Sequence, residues 1–218
     1  MCNLKREILT ADKRPVIGHH VNVNYNDTFM FDDDDPNIQR CNACGCRADF
    51  EATNPNYVLK RRRIIADEGV KIRGTSLITA TYDACLIVDN HFKEFCESQR
   101  YAGMRFVALP KDPQHFHMLM NQMVHVDEER AGLRRLEFCT ECLRYAVVVG
   151  DSKNVTETGI LADGFYRRNI ALGSGDRKGY GIFVGLDTPK RLKEAGLIKS
   201  NIYNPVYACP NPKQAPTR

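Results

Sequence analysis

Two C-x2-C pairs, Cys41-Asn42-Ala43-Cys44 and Cys139-Thr140-Glu141-Cys142, constrain this chain more than any other feature. Two thiols three positions apart on a tight turn can face one ion, and two such turns supply the four soft ligands of a closed tetrahedral Zn²⁺ site. Gly45 lets the first turn fold beneath its ion. Cys2, Cys46, Cys85, Cys96 and Cys209 are scattered, with Cys46 near enough to the first pair to act as a substitute ligand. Nine cysteines could instead form disulfides, or one pair could be a redox C-x2-C. Compartment decides between these uses. Ile8-Leu9 is followed at once by Asp12, Lys13 and Arg14, so no apolar stretch remains for a signal peptide, and a cytoplasmic protein with free or metal-bound thiols is expected. The expected ligands are Cys41, Cys44, Cys139 and Cys142, sharing one structural zinc.

A site shared by turns about a hundred residues apart suggests an internal repeat. A shift of 98 residues lays Cys41-x2-Cys44 on Cys139-x2-Cys142, and a shift of 96 superposes two strand-helix-strand patterns. In the first, Leu86-Ile87-Val88 reads as a buried strand and Asp89 or Asn90 as an N-cap. Phe92, Phe95 and Cys96 then fall on one helical face, Gly103 ends the turn, and Met104 to Leu109 is a second strand stopped by Pro110. In the second, Ile182-Phe183-Val184 is the strand and Thr188 caps a helix with Pro189 at its first position. Leu192 and Ala195 supply the apolar stripe before Gly196, and Ile202 to Val206 closes the unit. The expectation is an α+β fold of two pseudo-repeated strand-helix-strand halves, 41–110 and 139–207, each preceded by a C-x2-C knuckle.

At 218 residues, with 43% hydrophobic and 27% charged, the chain can bury a core, and disorder is excluded as a global description. No Pro/Ser/Gly linker parts it, so residues 1–218 read as one domain with a flexible tail at 209–218. No apolar run approaches the ~20 residues that span a bilayer. Around the repeats, residues 1–56 look mostly irregular, with Val21 to Tyr25 a candidate strand. Tyr57 to Ala66, Leu77 to Thr81, His115 to Met120 and Arg144 to Val149 read as strands, the last apolar enough to lie centrally. Residues 127–136 suit a short helix or a loop.

Four other constellations carry weaker chemistry. Gly173 to Gly181 is glycine-rich and basic, but lacks the order of a phosphate-binding loop and reads as a flexible surface loop. His115 and His117 share one face of a strand, which is metal-capable, though such pairs are commonly exposed or hydrogen-bonded residues. Asp32 to Asp35 is a solvated acidic loop without EF-hand spacing. Lys60 to Arg63 could touch nucleic acid beside a zinc knuckle, yet a strand divides alternate residues between two faces. The net charge of +4 is too mild to argue for nucleic acid by itself. No acid, base and nucleophile assemble at a spacing that indicates an enzyme, and no small-molecule substrate is evident.

Several of these features together resemble a known family. The double knuckle, the stretch Ala84-Cys-Leu-Ile-Val-Asp-Asn-His-Phe-Lys-Glu-Phe followed by Gly103-Met-Arg-Phe-Val-Ala-Leu-Pro, and the late Gly181-Ile-Phe-Val with Leu192-Lys-Glu-Ala-Gly-Leu-Ile are similar to the double C-x2-C-G immunity proteins of bacterial polymorphic toxin systems. The resemblance spans residues ~41 to 207 in pattern. It implies a non-enzymatic protein whose partner is a cognate toxin that it binds and neutralises. A zinc-ribbon-like nucleic-acid-binding protein is the alternative. The second knuckle departs from the pattern with Leu143 where the motif has glycine, and a side chain there is strained if φ must be positive.

Overall fold

The structure, a computed structural model, describes residues 14–32, 35, 38–59, 63–66, 69–72, 78–151, 153–198 and 203–209, with backbone alone for 63–66 and 69–72. It is a mixed α+β fold, mostly sheet. In chain order the strands are β1 (Val16–Val21), β2 (Asn24–Tyr25), β3 (Arg63–Ala66), β4 (Gly69–Ile72), β5 (Ile78–Ala80), β6 (Leu86–Asp89), β7 (Met104–Ala108), β8 (His115–Met120) and β9 (Met123–Val124). They continue with β10 (Arg134–Cys139), β11 (Arg144–Val149), β12 (Phe165–Arg168), β13 (Gly173–Ser174), β14 (Ile182–Gly185) and β15 (Tyr203–Tyr207). Helix α1 (Asn90–Ser98) follows β6, and α2 (Thr188–Glu194) follows β14.

Two five-stranded sheets run in the orders β2-β5-β6-β8-β7 and β9-β12-β14-β1-β15. In each, a two-residue edge strand pairs parallel with its neighbour, β2 with β5 and β9 with β12, and every other pairing is antiparallel. The strands flanking each helix are therefore not neighbours. β8 lies between β6 and β7, and β1 lies between β14 and β15, so each expected strand-helix-strand unit is a split β-α-β in which the flanking strands run parallel around an antiparallel guest. β10, β11 and β13 form a third sheet, and β3 pairs with β4 as a hairpin.

Local chemistry explains the helices. Asp89 caps α1 by accepting a hydrogen bond from the Phe92 N–H (2.9 Å), and Phe92 and Cys96 are the buried face. The helix is closed by Arg100, at φ +53°, and Gly103, at φ +71°, ends the turn before β7 as expected. The Arg100 N–H donates to the Glu97 carbonyl and the Tyr101 N–H to the Cys96 carbonyl. α2 ends the same way, with Gly196 at φ +72° and the Leu197 N–H donating to the Leu192 carbonyl. The expected cap of α2 moves by one residue. Asp187 holds that position without a side-chain bond, because the buried Thr188 hydroxyl is drawn to the Asp163 carboxylate and accepts from the Gly164 N–H (3.0 Å).

Other expectations shift for tertiary reasons. β1 lies inside the region expected to be irregular; Gly18, His19 and His20 dilute its apolar signal, yet it is a central strand between β14 and β15. Gly18 is required there, since a Cβ would come within 2.7 Å of the Val184 carbonyl. Tyr57 to Leu59 precede the strand that begins at Arg63, and Lys60 to Arg62 lie outside the described residues. So do Leu77, Ile202 and the tail from 210 onward. Residues 128–132 form a turn closed by Gly132 (φ +57°), after which β10 starts at Arg134. β11 is central in its sheet but only Val148 is fully buried, because the three-stranded sheet leaves much of its surface in water.

The largest core cluster draws on both five-stranded sheets and both helices, through Val21, Val88, Phe92, Cys96, Met118, Phe165, Val184 and Leu192. Phe165 of one sheet meets Phe92 of α1 edge-on at 5.3 Å between ring centroids. Among the described residues no helix is long and apolar enough to cross a membrane.

Candidate metal centre

Each knuckle is a reversed turn held by its own backbone. In the first, the Gly45 N–H donates to the Cys41 carbonyl (2.8 Å), the Cys41 N–H donates to the Cys46 carbonyl (3.0 Å), and Arg40 bridges Arg47. In the second, β10 and β11 pair as a full hairpin, with Phe138 opposite Tyr145 and Cys139 opposite Arg144. Gly45 sits at φ +70° and Leu143 at φ +55°, so both turns need the left-handed conformation and only one has the residue suited to it. Leu143 is 71% exposed and gains little from packing. Leu143→Gly is expected to raise stability by up to about 1 kcal/mol; a urea titration of the metal-bound protein measures it, and an unchanged or lower midpoint would contradict the strain.

The turns bring their sulfurs together. Cys41 Sγ lies 3.7 Å from Cys139 Sγ and Cys44 Sγ 3.6 Å from Cys142 Sγ, and all four sulfurs fall within 4.8 Å of one another. A disulfide would need about 2.05 Å. Sulfurs at the corners of a tetrahedron with ~2.3 Å metal bonds stand about 3.8 Å apart, close to the 3.7 and 3.6 Å of the two facing pairs. The four expected ligands thus form a cluster suited to a metal ion. The Cys46 N–H supports the Cys44 sulfur and lowers the pKa of its thiol, and the Arg144 N–H supports Cys142 in the matching place. Left to themselves, four thiols cannot ionise side by side. Desolvation and the neighbouring sulfurs push Cys142 up to about 12, whereas a divalent cation would favour all four thiolates.

Cys46 is not one of the four. It is buried beneath the turn, where desolvation raises its pKa, and its carbonyl serves the Cys41 N–H. His115 and His117 are also outside the cluster and buried. His115 Nδ1 pairs with Asp112 (2.8 Å), and His117 Nδ1 bonds the Thr53 hydroxyl (2.7 Å). Asp32 is exposed, as expected of a solvated loop, but Asp35 is half-buried and accepts from the Asn54 amide (2.9 Å); Asp33, Asp34 and Pro36 lie outside the described residues.

The residues that lock the knuckles were not legible as site residues. The segment 173–181 does not behave as a loose surface loop; it clamps both turns. Asp176 accepts from the Arg47 N–H (2.8 Å) and pairs with the Arg40 guanidinium, while Lys178, only 4% exposed, donates to the Tyr145 carbonyl (2.6 Å). Arg144 donates to the Arg47 carbonyl (2.9 Å), tying one turn to the other. Arg47 itself is 1% exposed, 3.7 Å from the Asp83 carboxylate and stacked near Phe31 and Phe50. Asp83 in turn accepts from the Met30 and Phe31 N–H groups at 2.9 and 3.1 Å.

One buried histidine, His117, and one half-buried, His20, give the fold an acid limit. Burial, reinforced by nearby arginines, lowers His117 and His20 from 6.5 to about 4. Both stay neutral in the fold while the unfolded chain takes up protons below ~6.5, so stability is flat above that pH and falls as pH drops towards 4. At pH 5 the loss is about 2 kcal/mol per histidine. Unfolding free energies from urea titrations at pH 7 and 5 test this, with His117→Gln expected to narrow the difference by about 2 kcal/mol; an undiminished difference would sink the assignment.

Compared with known proteins, the chain matches no family model, no curated protein and no solved structure.

Proposed function

We propose that this chain is a zinc-stapled binding protein of the immunity type, which occludes a cognate bacterial toxin in the cytoplasm and catalyses no reaction. Zinc is the ion that four thiolates at tetrahedral spacing suit best. Cys41, Cys44, Cys139 and Cys142 would hold it. With every coordination position taken by sulfur, the ion supplies folding free energy and has no open place for a reacting water.

The reading includes an internal duplication, supported by the matching sheets. β1, β2, the first knuckle, β5, β6, α1 and β7 correspond in order to β8, β9, the second knuckle, β12, β14, α2 and β15. The pairing of Val107 with His117 recurs, 99 residues displaced, as Val206 with Gly18. Each half lends its first strand to the other's sheet, so the repeats run 16–108 and 115–207, longer than the cysteine and helix patterns alone suggest. Cys41 faces Cys139 and Cys44 faces Cys142, each residue against its own counterpart, as a two-fold axis through the ion requires.

The observation that carries the proposal is this closed sulfur cluster at the joint between like halves: a metal used to hold a scaffold together, in a chain whose motifs resemble immunity proteins. The test is co-expression with the toxin encoded beside the gene. Growth rescue by the wild type and its loss in Cys139→Ser are expected. Failure to rescue from any neighbouring toxin, together with a salt-dependent gel shift on random DNA or RNA, would replace this reading with the nucleic-acid one.

A further inference from the structure

A cavity of about 320 Å³ opens between the two five-stranded sheets, lined among others by His20, Asn22, Tyr25, Arg168, Arg177 and Tyr180. Its lining contains two guanidinium groups and no aspartate or glutamate. Arg168, at the end of β12, is 6% exposed. Its Nη2 donates to the Gly179 carbonyl (3.2 Å), but Nε and Nη1 have no hydrogen-bond partner, and His20 Nδ1 in the same wall has none either. Among the described residues no carboxylate pairs with Arg168.

A buried guanidinium keeps its charge at neutral pH and is strongly penalised without a counter-charge. Such arginines are ordinarily paired with an acid, as Arg47 is with Asp83. Among the described residues none supplies that counter-charge, and an anion held in the cavity that Arg168 lines would. The remaining walls, Val21, Val23, Leu86 and Ile182, are apolar and would accept a compact non-polar body.

We propose that this cavity is a binding site for a small organic oxyanion, a carboxylate or phosphate ester on a compact apolar group, with Arg168 as its buried charge partner and Arg177 at its side. The proposal is independent of the toxin reading, since it concerns a cavity apart from the sulfur cluster and needs no partner protein.

The experiment titrates the metal-loaded full chain with benzoate, phenyl phosphate and neutral benzyl alcohol at constant ionic strength, following melting temperature and binding heat. One of the two anions is expected to bind saturably and raise the melting temperature by several degrees, with benzyl alcohol at least tenfold weaker. Whichever anion binds more tightly identifies the head group. Arg168→Met is expected to lose at least tenfold in affinity while melting no lower than wild type without ligand, because it removes an unpaired charge and keeps the packing. Should that variant not fold, Arg177→Met serves in its place, with a weaker loss expected. Indifference of the wild type to both anions, or equal binding of benzyl alcohol, would overturn the proposal, as would unchanged anion affinity in a folded Arg168→Met.

Discussion

Chelating the metal, or replacing Cys139 by serine, is expected to abolish the cooperative melting transition at neutral pH. The two knuckles are 98 residues apart in the chain, and a cross-link over that distance removes about 4 to 5 kcal/mol of unfolded-chain entropy in a chain-entropy estimate. Coordination adds its own term, since four-ligand zinc binding in small domains is worth about 10 kcal/mol or more. A domain's whole stability is ~5–15 kcal/mol, so the loss is comparable to the total. Metal analysis and a thermal melt followed by circular dichroism read the result. Wild type is expected to hold one ion per chain and Cys139→Ser none, whereas Cys46→Ser keeps the ion, since its sulfur lies outside the cluster. Acid should act as a chelator does, because protons compete for the thiolates. A stripped protein that melts where the loaded one does would refute the staple.

The second large effect is expected at Asp83. Asp83→Ala removes the counter-charge of Arg47 and the acceptor for two buried N–H groups in one step. Breaking a buried pair from one side costs about 3–5 kcal/mol, because the surviving charge stays buried. Arg47→Met should cost less, since the carboxylate keeps its two N–H donors and the methionine fills part of the space between Phe31 and Phe50. The pair Arg47→Met with Asp83→Ala should be less destabilised than the two single effects added together. Urea denaturation of the metal-loaded proteins measures all three. Additive losses would mean that the two side chains act independently. The knuckle is a further readout: Arg47 bonds Asp176 and Arg144 through its backbone, so a poorly seated Arg47 should loosen metal retention as well.

How much of this could be read in advance depended on the range of the interaction. The cysteine turns were legible because a C-x2-C knuckle is made by its own backbone, and the same is true of α1, whose cap and buried face lie within eight residues, Asp89 to Cys96. Arg47 and Asp83 gave no signal, since a charged residue becomes a core residue only when a partner 36 positions away meets it. The clamp at 173–181 was hidden for the same reason: Asp176 and Lys178 look like loop residues until Arg40, Arg47 and Tyr145 are placed beside them. β1 escaped notice because a central strand with Gly18, His19 and His20 has no apolar alternation to detect, and its neighbours come from the far end of the chain.

The amino-acid order alone determined the four cysteines of the cluster, the helix positions and the mixed character of the fold, because turns, caps and apolar stripes are settled between residues a few positions apart. The tertiary structure alone decided that the ladders interleave, so that β8 enters the first sheet and β1 the second, and that the two turns face each other across one cluster. Strand edges carry no address in their own residues; which edge meets which is chosen by the burial of a shared core, and that choice exists only once the whole chain has closed around Phe92, Phe165 and Leu192.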